Sequence, residues 1–416
     1  VPDAIFVAAF DSQIKWCAGI LDAFRSAGFA CRILVPDIRN ALSESQLRAA
    51  GVTKVERVTW EQAIEAGLAS DVVVSALSGP NTKRLVMDLA QSEAPRMPVI
   101  VSGWVGIIIE KLIAGYLDRS ASDIVVVNSV EDLERFRIVA DSLGLPKDNL
   151  LLAGLPFLPP VPAPEKSGPI RRVLFADQPT VPEDPAERRY VYERLIAYAQ
   201  AHPEREVILK PRHRPGEDTF HRMRHHPEDL LRRVPRPPNF RIDYEPIPKL
   251  LESADLLLTI SSTACLEAIG AGVRVALVLD LGVHERYGNQ VFAHSGLLRT
   301  FNQIADDDIG TPSDRWRDSY FFGAEHPANV AIVNRACQLL ASGERPSVAA
   351  RQSQYFRSIL EFEAAMTRLR IPSTYAGLLA AKHGPAKRAF LKLAHGLTPP
   401  LLQEPAKRLL RALGAL

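Results

Sequence analysis

Net charge is almost missing from this chain: 50 Lys and Arg stand against 48 Asp and Glu over 416 residues, leaving +2. So small an excess predicts no nucleic-acid partner, and any basic surface has to be local. Cysteine is scarce as well. Cys17, Cys31, Cys265 and Cys337 lack metal-ligand spacing, and they read as reduced core residues of a cytosolic protein rather than as a disulfide framework. No run of about eighteen uncharged apolar residues exists, so a membrane-spanning helix is not expected. Nor is there an internal repeat at solenoid period. What is present is an ordinary globular balance, 47% hydrophobic and 24% charged, with room for two domains and a tail.

The first segment alternates strand and helix. Strands are expected at 4–10, 31–35, 71–76, 97–102, 123–128 and 150–153, with amphipathic helices at 14–27, closed by Gly28, and 131–143, stopped by Gly144. Such alternation predicts a doubly wound parallel sheet over 1–155. A proline-rich stretch at 156–169 can build neither helix nor central strand and reads as an interdomain linker. A second α/β set follows over 170–345, with strands at 172–176, 207–209, 256–260 and 273–279 and a helix at 190–201. The fold class is therefore α/β, with two Rossmann-like domains and a cleft between them.

The remainder, 346–416, reads as C-terminal helices. From Ala376 onward, Lys382, Lys387, Arg388, Lys392, Lys407, Arg408 and Arg411 face a single acid, Glu404, among Leu, Ala and Phe390. Basic amphipathic helices of this kind either lie on anionic lipid or pack an apolar face onto the domains. The expected location is the cytoplasm, and lipid contact through the tail would put the protein at the inner face of the plasma membrane.

Two strand ends carry the chemistry. The buried-strand pattern Leu256-Leu257-Leu258-Thr259-Ile260 runs into Ser261-Ser262-Thr263 and then into a helix at 264–269. Hydroxyls there add donors for a phosphate without adding charge, or they simply cap the helix. Upstream, Val207-Ile208-Leu209 opens into a loop holding Lys210, Arg212, His213 and Arg214 between Pro211 and Pro215. Ligands of open α/β sheets bind beyond the carboxyl ends of the strands, so a cationic loop and a hydroxyl loop can face one ligand although far apart in sequence. The pair suits a diphosphate or a nucleoside monophosphate leaving group.

These two segments resemble the His-Pro loop and Ser-Ser/Thr motif of bacterial GT-B glycosyltransferases that use CMP-activated acidic sugars, namely sialyltransferases, polysialyltransferases and capsule Kdo transferases. CDP-glycerol polymerases carry a similar pair. The resemblance spans mainly residues 206–282, and Arg214 separates His213 from Pro215 where the family has His-Pro. It implies a GT-B fold, a CMP-sugar donor, a glycan or lipid-linked glycan acceptor, no metal and no other cofactor. It also implies that His213, with Lys210, stabilises the departing phosphate, and that Glu267 accepts hydrogen bonds from ribose hydroxyls.

Further candidates come from other strand ends. Asp11 follows the first strand and is either the base that deprotonates an acceptor hydroxyl or part of a helix cap, with Ser12 and Lys15 beside it. Trp104, in the loop Ser102-Gly103-Trp104-Val105-Gly106, either stacks on a sugar or belongs to the core, and Glu110 lies just beyond. Gln178 could read a base, and Glu285 could reach the donor sugar. His221, His225 and His226 lack the paired carboxylates or thiolates of a metal site. Rival readings are a polyol-phosphate transferase using a CDP donor, a UDP-sugar enzyme or epimerase of the same fold, and a non-catalytic nucleotide- or nucleic-acid-binding protein built on Arg212 to Arg241.

Overall fold

A computed structural model describes residues 1–38, 42–92, 96–109, 111–217 and 223–359. The chain divides into two compact units, Val1–Ser353 and Gln354–Leu416. Of the second unit only residues 354–359, which are helical, are described. The basic tail from Ala376 and Glu110 both lie outside the described residues.

The first domain of the large unit begins β1 (Asp3–Val7), α1 (Asp11–Ser26), β2 (Ala30–Pro36), α2 (Glu44–Ala49), β3 (Glu56–Val58) and α3 (Trp60–Ala69). It continues through β4 (Val72–Ser75), α4 (Gly79–Gln91), β5 (Val99–Gly103), α5 (Leu112–Leu117), β6 (Ile124–Val127), α6 (Val130–Leu143) and β7 (Leu150–Leu152). All seven strands are parallel, in the order β3-β2-β1-β4-β5-β6-β7. Central strands such as β4 and β6 are buried along their whole length, as Val-rich runs covered by helices on both faces must be.

After the linker come β8 (Arg172–Ala176), α7 (Pro185–Ala201), β9 (Glu206–Lys210), α8 (Pro227–Leu230), β10 (Phe240–Ile242), α9 (Ile247–Ser253) and β11 (Leu256–Thr259). Then follow α10 (Ala264–Gly270), β12 (Arg274–Val278), β13 (Leu298–Arg299), α11 (Phe301–Ala305), α12 (Asp314–Tyr320), α13 (Ala328–Ser342) and α14 (Pro346–Gln352). The second sheet is parallel too, ordered β10-β9-β8-β11-β12-β13. In each sheet the strand order reverses beside the first strand, at β1/β4 and at β8/β11, which is where open α/β sheets hold ligands.

Three details adjust the sequence reading. Helix α1 starts at Asp11 rather than Ile14, because the buried Gln13 side chain accepts the Ala9 N–H at 2.7 Å and turns the chain early. The linker forms no helix or strand, yet it is anchored: Ala163 N–H donates to the Gly270 carbonyl and Lys166 N–H to that of Gly272. A side chain on Gly272, whose φ is +71°, would strike the Pro164 carbonyl. Finally, α13 packs on α1, β5 and β6, α12 packs on α6, and Ser347 N–H donates to the Asp123 carboxylate. The chain from α12 to α14 thus returns to the first domain, and the boundary read at 345 falls inside that return.

Candidate active site in the cleft

The loops after β1 and β9 meet. Asp11, the first residue of α1, receives two hydrogen bonds from the Arg212 guanidinium, from Nη2 at 2.7 Å and Nε at 3.1 Å, with both side chains largely covered. Four residues on, one helical turn, Lys15 Nζ lies 2.6 Å from Glu267 and 4.5 Å from the centre of the Phe157 ring. Ser43 and Ser45, at the head of α2, donate to Glu217 at 2.7 and 2.5 Å. A fourth bridge joins Ile107 N–H to Thr263 Oγ1 at 3.1 Å. All four connect the first domain to the second.

Lys210 ends β9 inside this charge cluster. Burial and then the neighbouring Arg212 lower its ammonium to about 8, with Asp243, Glu217 and Asp11 opposing them. Its only hydrogen-bond partner among the described residues is the Pro211 carbonyl at 2.7 Å. A half-buried ammonium without a carboxylate partner is favourable beside an incoming anion and unfavourable without one. Burial alone would push the Glu217 carboxyl up, but the hydroxyls of Ser45 and Ser43 and the Arg214 N–H outweigh it and hold it below its usual range.

His213 is placed differently from the sequence reading. It is buried, its Nε2 accepts the Met223 N–H at 3.1 Å, and its Nδ1 lies 2.8 Å from the Arg214 carbonyl. This pattern fixes the Nδ1–H tautomer and leaves neither ring nitrogen for a phosphate. His226 braces the same loop through the His213 carbonyl at 3.1 Å. The ring organises the loop that carries Lys210 and Arg212, and we correct its role from ligand to support.

Ser261 and Gln178 are likewise bound to each other. Gln178 Oε1 accepts the Ser261 N–H at 2.9 Å, its amide nitrogen lies 3.2 Å from Ser261 Oγ, and that hydroxyl donates to the Tyr287 carbonyl. The pair ties the ends of β8 and β11 together, so the base-reading role for Gln178 and the phosphate role for Ser261 give way to a structural one. Ser262 Oγ accepts the Ala264 N–H at 3.2 Å, the capping alternative. Trp104 stacks on Phe136 at 5.0 Å, with the Arg119 guanidinium 4.5 Å from its ring, which is the core alternative. Glu285 is exposed at the start of a short 3-10 turn, with no side-chain partner among the described residues. Ser12 is half-buried beside Asp11 and also without a partner among the described residues.

Some residues that matter here were not singled out from the sequence. The Asp177 carboxylate accepts from Arg188 at 3.1 Å and from Tyr192 at 2.6 Å, and Arg188 also donates to the carbonyls of Gln178, Pro179 and Pro182. Arg188 and Asp177 are both almost fully buried and hold the loop after β8. A Tyr four residues after an Arg on one helix face was the available signal. Ser43, Ser45 and Glu217 gave none, since serines before a helix read as caps. Several arginines of the arginine-rich stretch are paired with acids: Arg224 with Glu183, Arg232 with Asp229, and Arg241 with Glu206 and Asp243. Among the described residues no cluster of three or more His, Cys, Asp or Glu is disposed to hold a metal, and no helix is long and apolar enough to cross a membrane.

Two parallel Rossmann-like domains with strand-end loops facing across a cleft define the GT-B architecture. Residues 4–339 match the family described as "Putative glycosyltransferase (DUF6716)", and the chain belongs to that family of enzymes. Solved structures with a similar fold include MnaA of S. aureus in complex with UDP, at TM-score 0.54 and 12% identity over 82% of this chain and 97% of that one. UDP-GlcNAc 2-epimerase of Methanocaldococcus jannaschii is similar at TM-score 0.54 and 11% identity, covering 81% and 100% of the two chains. The calicheamicin glycosyltransferase CalG4 matches at TM-score 0.42 and 15% identity over 88% and 98%. No curated protein matches the chain.

Proposed function

We propose that the protein transfers a glycosyl group from a nucleoside-diphosphate sugar, with UDP as the nucleotide, to an acceptor hydroxyl of a glycan or lipid-linked glycan. The observation that carries this reading is the pair of cations at the end of β9, Lys210 and Arg212, set against Asp11 at the head of α1. Family membership supplies the reaction class, and the fold shared with a UDP-bound protein makes UDP the first nucleotide to test. The narrower reading, a CMP-activated acidic sugar, finds no support in the comparisons, and its histidine is engaged elsewhere.

In the proposed step the acceptor hydroxyl gives its proton to the Asp11 carboxylate and its oxygen bonds to the anomeric carbon. The bond from that carbon to the phosphate oxygen breaks, and its electron pair leaves with the phosphate. Lys210 and Arg212 stabilise the charge that develops there, a role for fixed cations in a drained cleft. Ser12, next to Asp11, is proposed to orient the acceptor. Glu267 keeps its proposed ribose contact, shared with Lys15. With two cations at the phosphate, turnover is expected to survive EDTA.

Thermal unfolding of the full chain with UDP, CMP, CDP and GDP tests the donor, because a ligand that binds only the folded state stabilises by about 2.7 kcal/mol at a hundred times its Kd. Stabilisation by UDP supports the reading. Stabilisation by CMP alone would move the donor to the CMP class, and none by any nucleotide would remove the donor assignment. Membrane contact through the basic tail is a separate proposal, checked by whether deleting residues after Ala376 abolishes sedimentation with anionic vesicles.

A further inference from the structure

We infer that His226 is a positioning residue for the phosphate site, setting Arg212 through the main chain of His213. The inference rests on the nucleotide-sugar reading above, because it needs a phosphate at Arg212. His213 and His226 are both nearly fully buried, and each ring accepts one backbone N–H and donates to one backbone carbonyl. For His226 the accepted group is the Glu228 N–H, 3.2 Å from Nδ1, where the ring caps the first turn of α8. A bare Nδ1 leaves the proton on Nε2, which donates to the His213 carbonyl at 3.1 Å. One ring thus ties α8 to the loop after β9 at the residue next to Arg212.

The loop from Pro211 to Glu217 has neither helix nor strand to hold it. A guanidinium projecting from such a loop binds weakly unless the backbone beneath it is already ordered, since binding would otherwise have to supply the ordering entropy. The Arg214 end is held by Glu217, whose N–H donates to the Arg214 carbonyl at 3.2 Å and whose carboxylate takes Ser43 and Ser45 of the first domain. The bond from His226 is made within the second domain alone. Its ring is fixed in turn by Tyr244, which lies nearly parallel to it at 6.3 Å between ring centres and donates its hydroxyl to the Glu228 carboxylate at 2.5 Å. The two ring nitrogens therefore have separate duties: Nδ1 serves the helix, and Nε2 serves the loop that carries Arg212.

Substitution separates the duties, because a Gln carboxamide can put an N–H where Nε2 stands, whereas an Asn carboxamide can put its oxygen only where Nδ1 stands. UDP is titrated calorimetrically into full-length wild type, His226→Gln, His226→Asn and His226→Ala, each with a cooperative urea transition. His226→Asn and His226→Ala lose the bond to His213 and should bind UDP about five- to fiftyfold more weakly than wild type, the range of one unreplaced buried hydrogen bond. His226→Gln keeps that bond and should stay within about threefold of wild type, although it gives up the cap on α8. A ring that only fills space predicts another order, with Asn and Gln alike and Ala the weakest. Affinity in His226→Gln no better than in His226→Asn overturns the inference, and so does wild-type affinity in His226→Asn. If wild type binds no UDP, the donor reading fails first and the inference falls with it; binding by wild type with the wrong order among the variants removes the inference alone. Should the variants not fold, ring-nitrogen NMR of UDP-bound wild type decides: a proton on Nε2 of His226 with Nδ1 bare supports the assignment, and the opposite tautomer or a doubly protonated ring overturns it.

Discussion

At the carboxyl end of the second sheet, polar side chains are mostly bound to one another or to nearby backbone, with Asp177 held by the Arg188 and Tyr192 side chains, Ser261 by the Gln178 side chain and the Tyr287 carbonyl, and His213 by the Met223 N–H and the Arg214 carbonyl. At the facing end of the first sheet, α1 carries Asp11 and Lys15, whose side-chain polar partners among the described residues lie across the cleft. The second domain is thus built as a preorganised platform from which Lys210 and Arg212 project, whereas the charged groups at the head of α1 find their partners across the cleft. Fixed dipoles suit a phosphate that must be stabilised without reorganisation.

The sharpest way to break this comparison is to loosen the platform. Arg188→Met leaves the buried Asp177 carboxylate without its cation and three carbonyls without a donor, so unfolding in urea should show a loss of about 3–5 kcal/mol. A loss below about 1 kcal/mol, far short of that buried-pair range, would mean that the platform does not depend on this pair.

On the side of the first domain, Asp11→Asn should lower turnover by about a hundredfold or more, in keeping with a general-base contribution. A variant keeping more than about a tenth of wild-type turnover would move the base elsewhere.

The same contrast explains how much was legible in the sequence. The strands from β1 to β12 that carry the switch points announced themselves as buried Val, Ile and Leu runs, because covered parallel strands have no polar face to hide the pattern. The edge strands β3, β10 and β13, two or three residues each, were too short to make any pattern. Strand ends located the loops at Asp11, Lys210 and Ser261, since topology alone puts them at the cleft. Roles within those loops were harder to read. Ser, Gln and His are used both for ligands and for closing buried backbone, and only the three-dimensional partners decide: Met223 for His213, Tyr287 for Ser261. The bridge between Asp11 and Arg212 had no sequence signal, because it joins two domains.

A smaller effect is expected where the domains touch through the loop after β5. Gly288 has φ +69°, and a side chain there would strike Ile109 of that loop. Gly288→Ala should cost about 1–3 kcal/mol through strain and overpacking. Adding Ile109→Ala should recover the steric part and leave the backbone part, which a double-variant cycle in urea separates. Full recovery would show that the positive φ carries no strain.

The smallest predicted effect concerns Lys210 and is a matter of pH. Its ammonium is lowered from 10.5 to about 8 in the folded chain, chiefly by burial. The unfolded chain therefore holds more protons on this residue between those values, and stability rises with pH across that window; below about 8 both states are protonated and the burial cost is fully present. Lys210→Met should remove this rise and be no less stable than wild type at neutral pH. Nucleotide binding has the opposite dependence, because a phosphate favours the charged form: affinity for UDP should fall as pH rises through about 8 in wild type and be weaker but flatter in Lys210→Met. Calorimetry in buffers of different ionisation enthalpy reads the same event as proton uptake on binding near pH 8.5, about half a unit above that value. An unchanged slope in the variant would show that Lys210 neither faces the ligand nor titrates there.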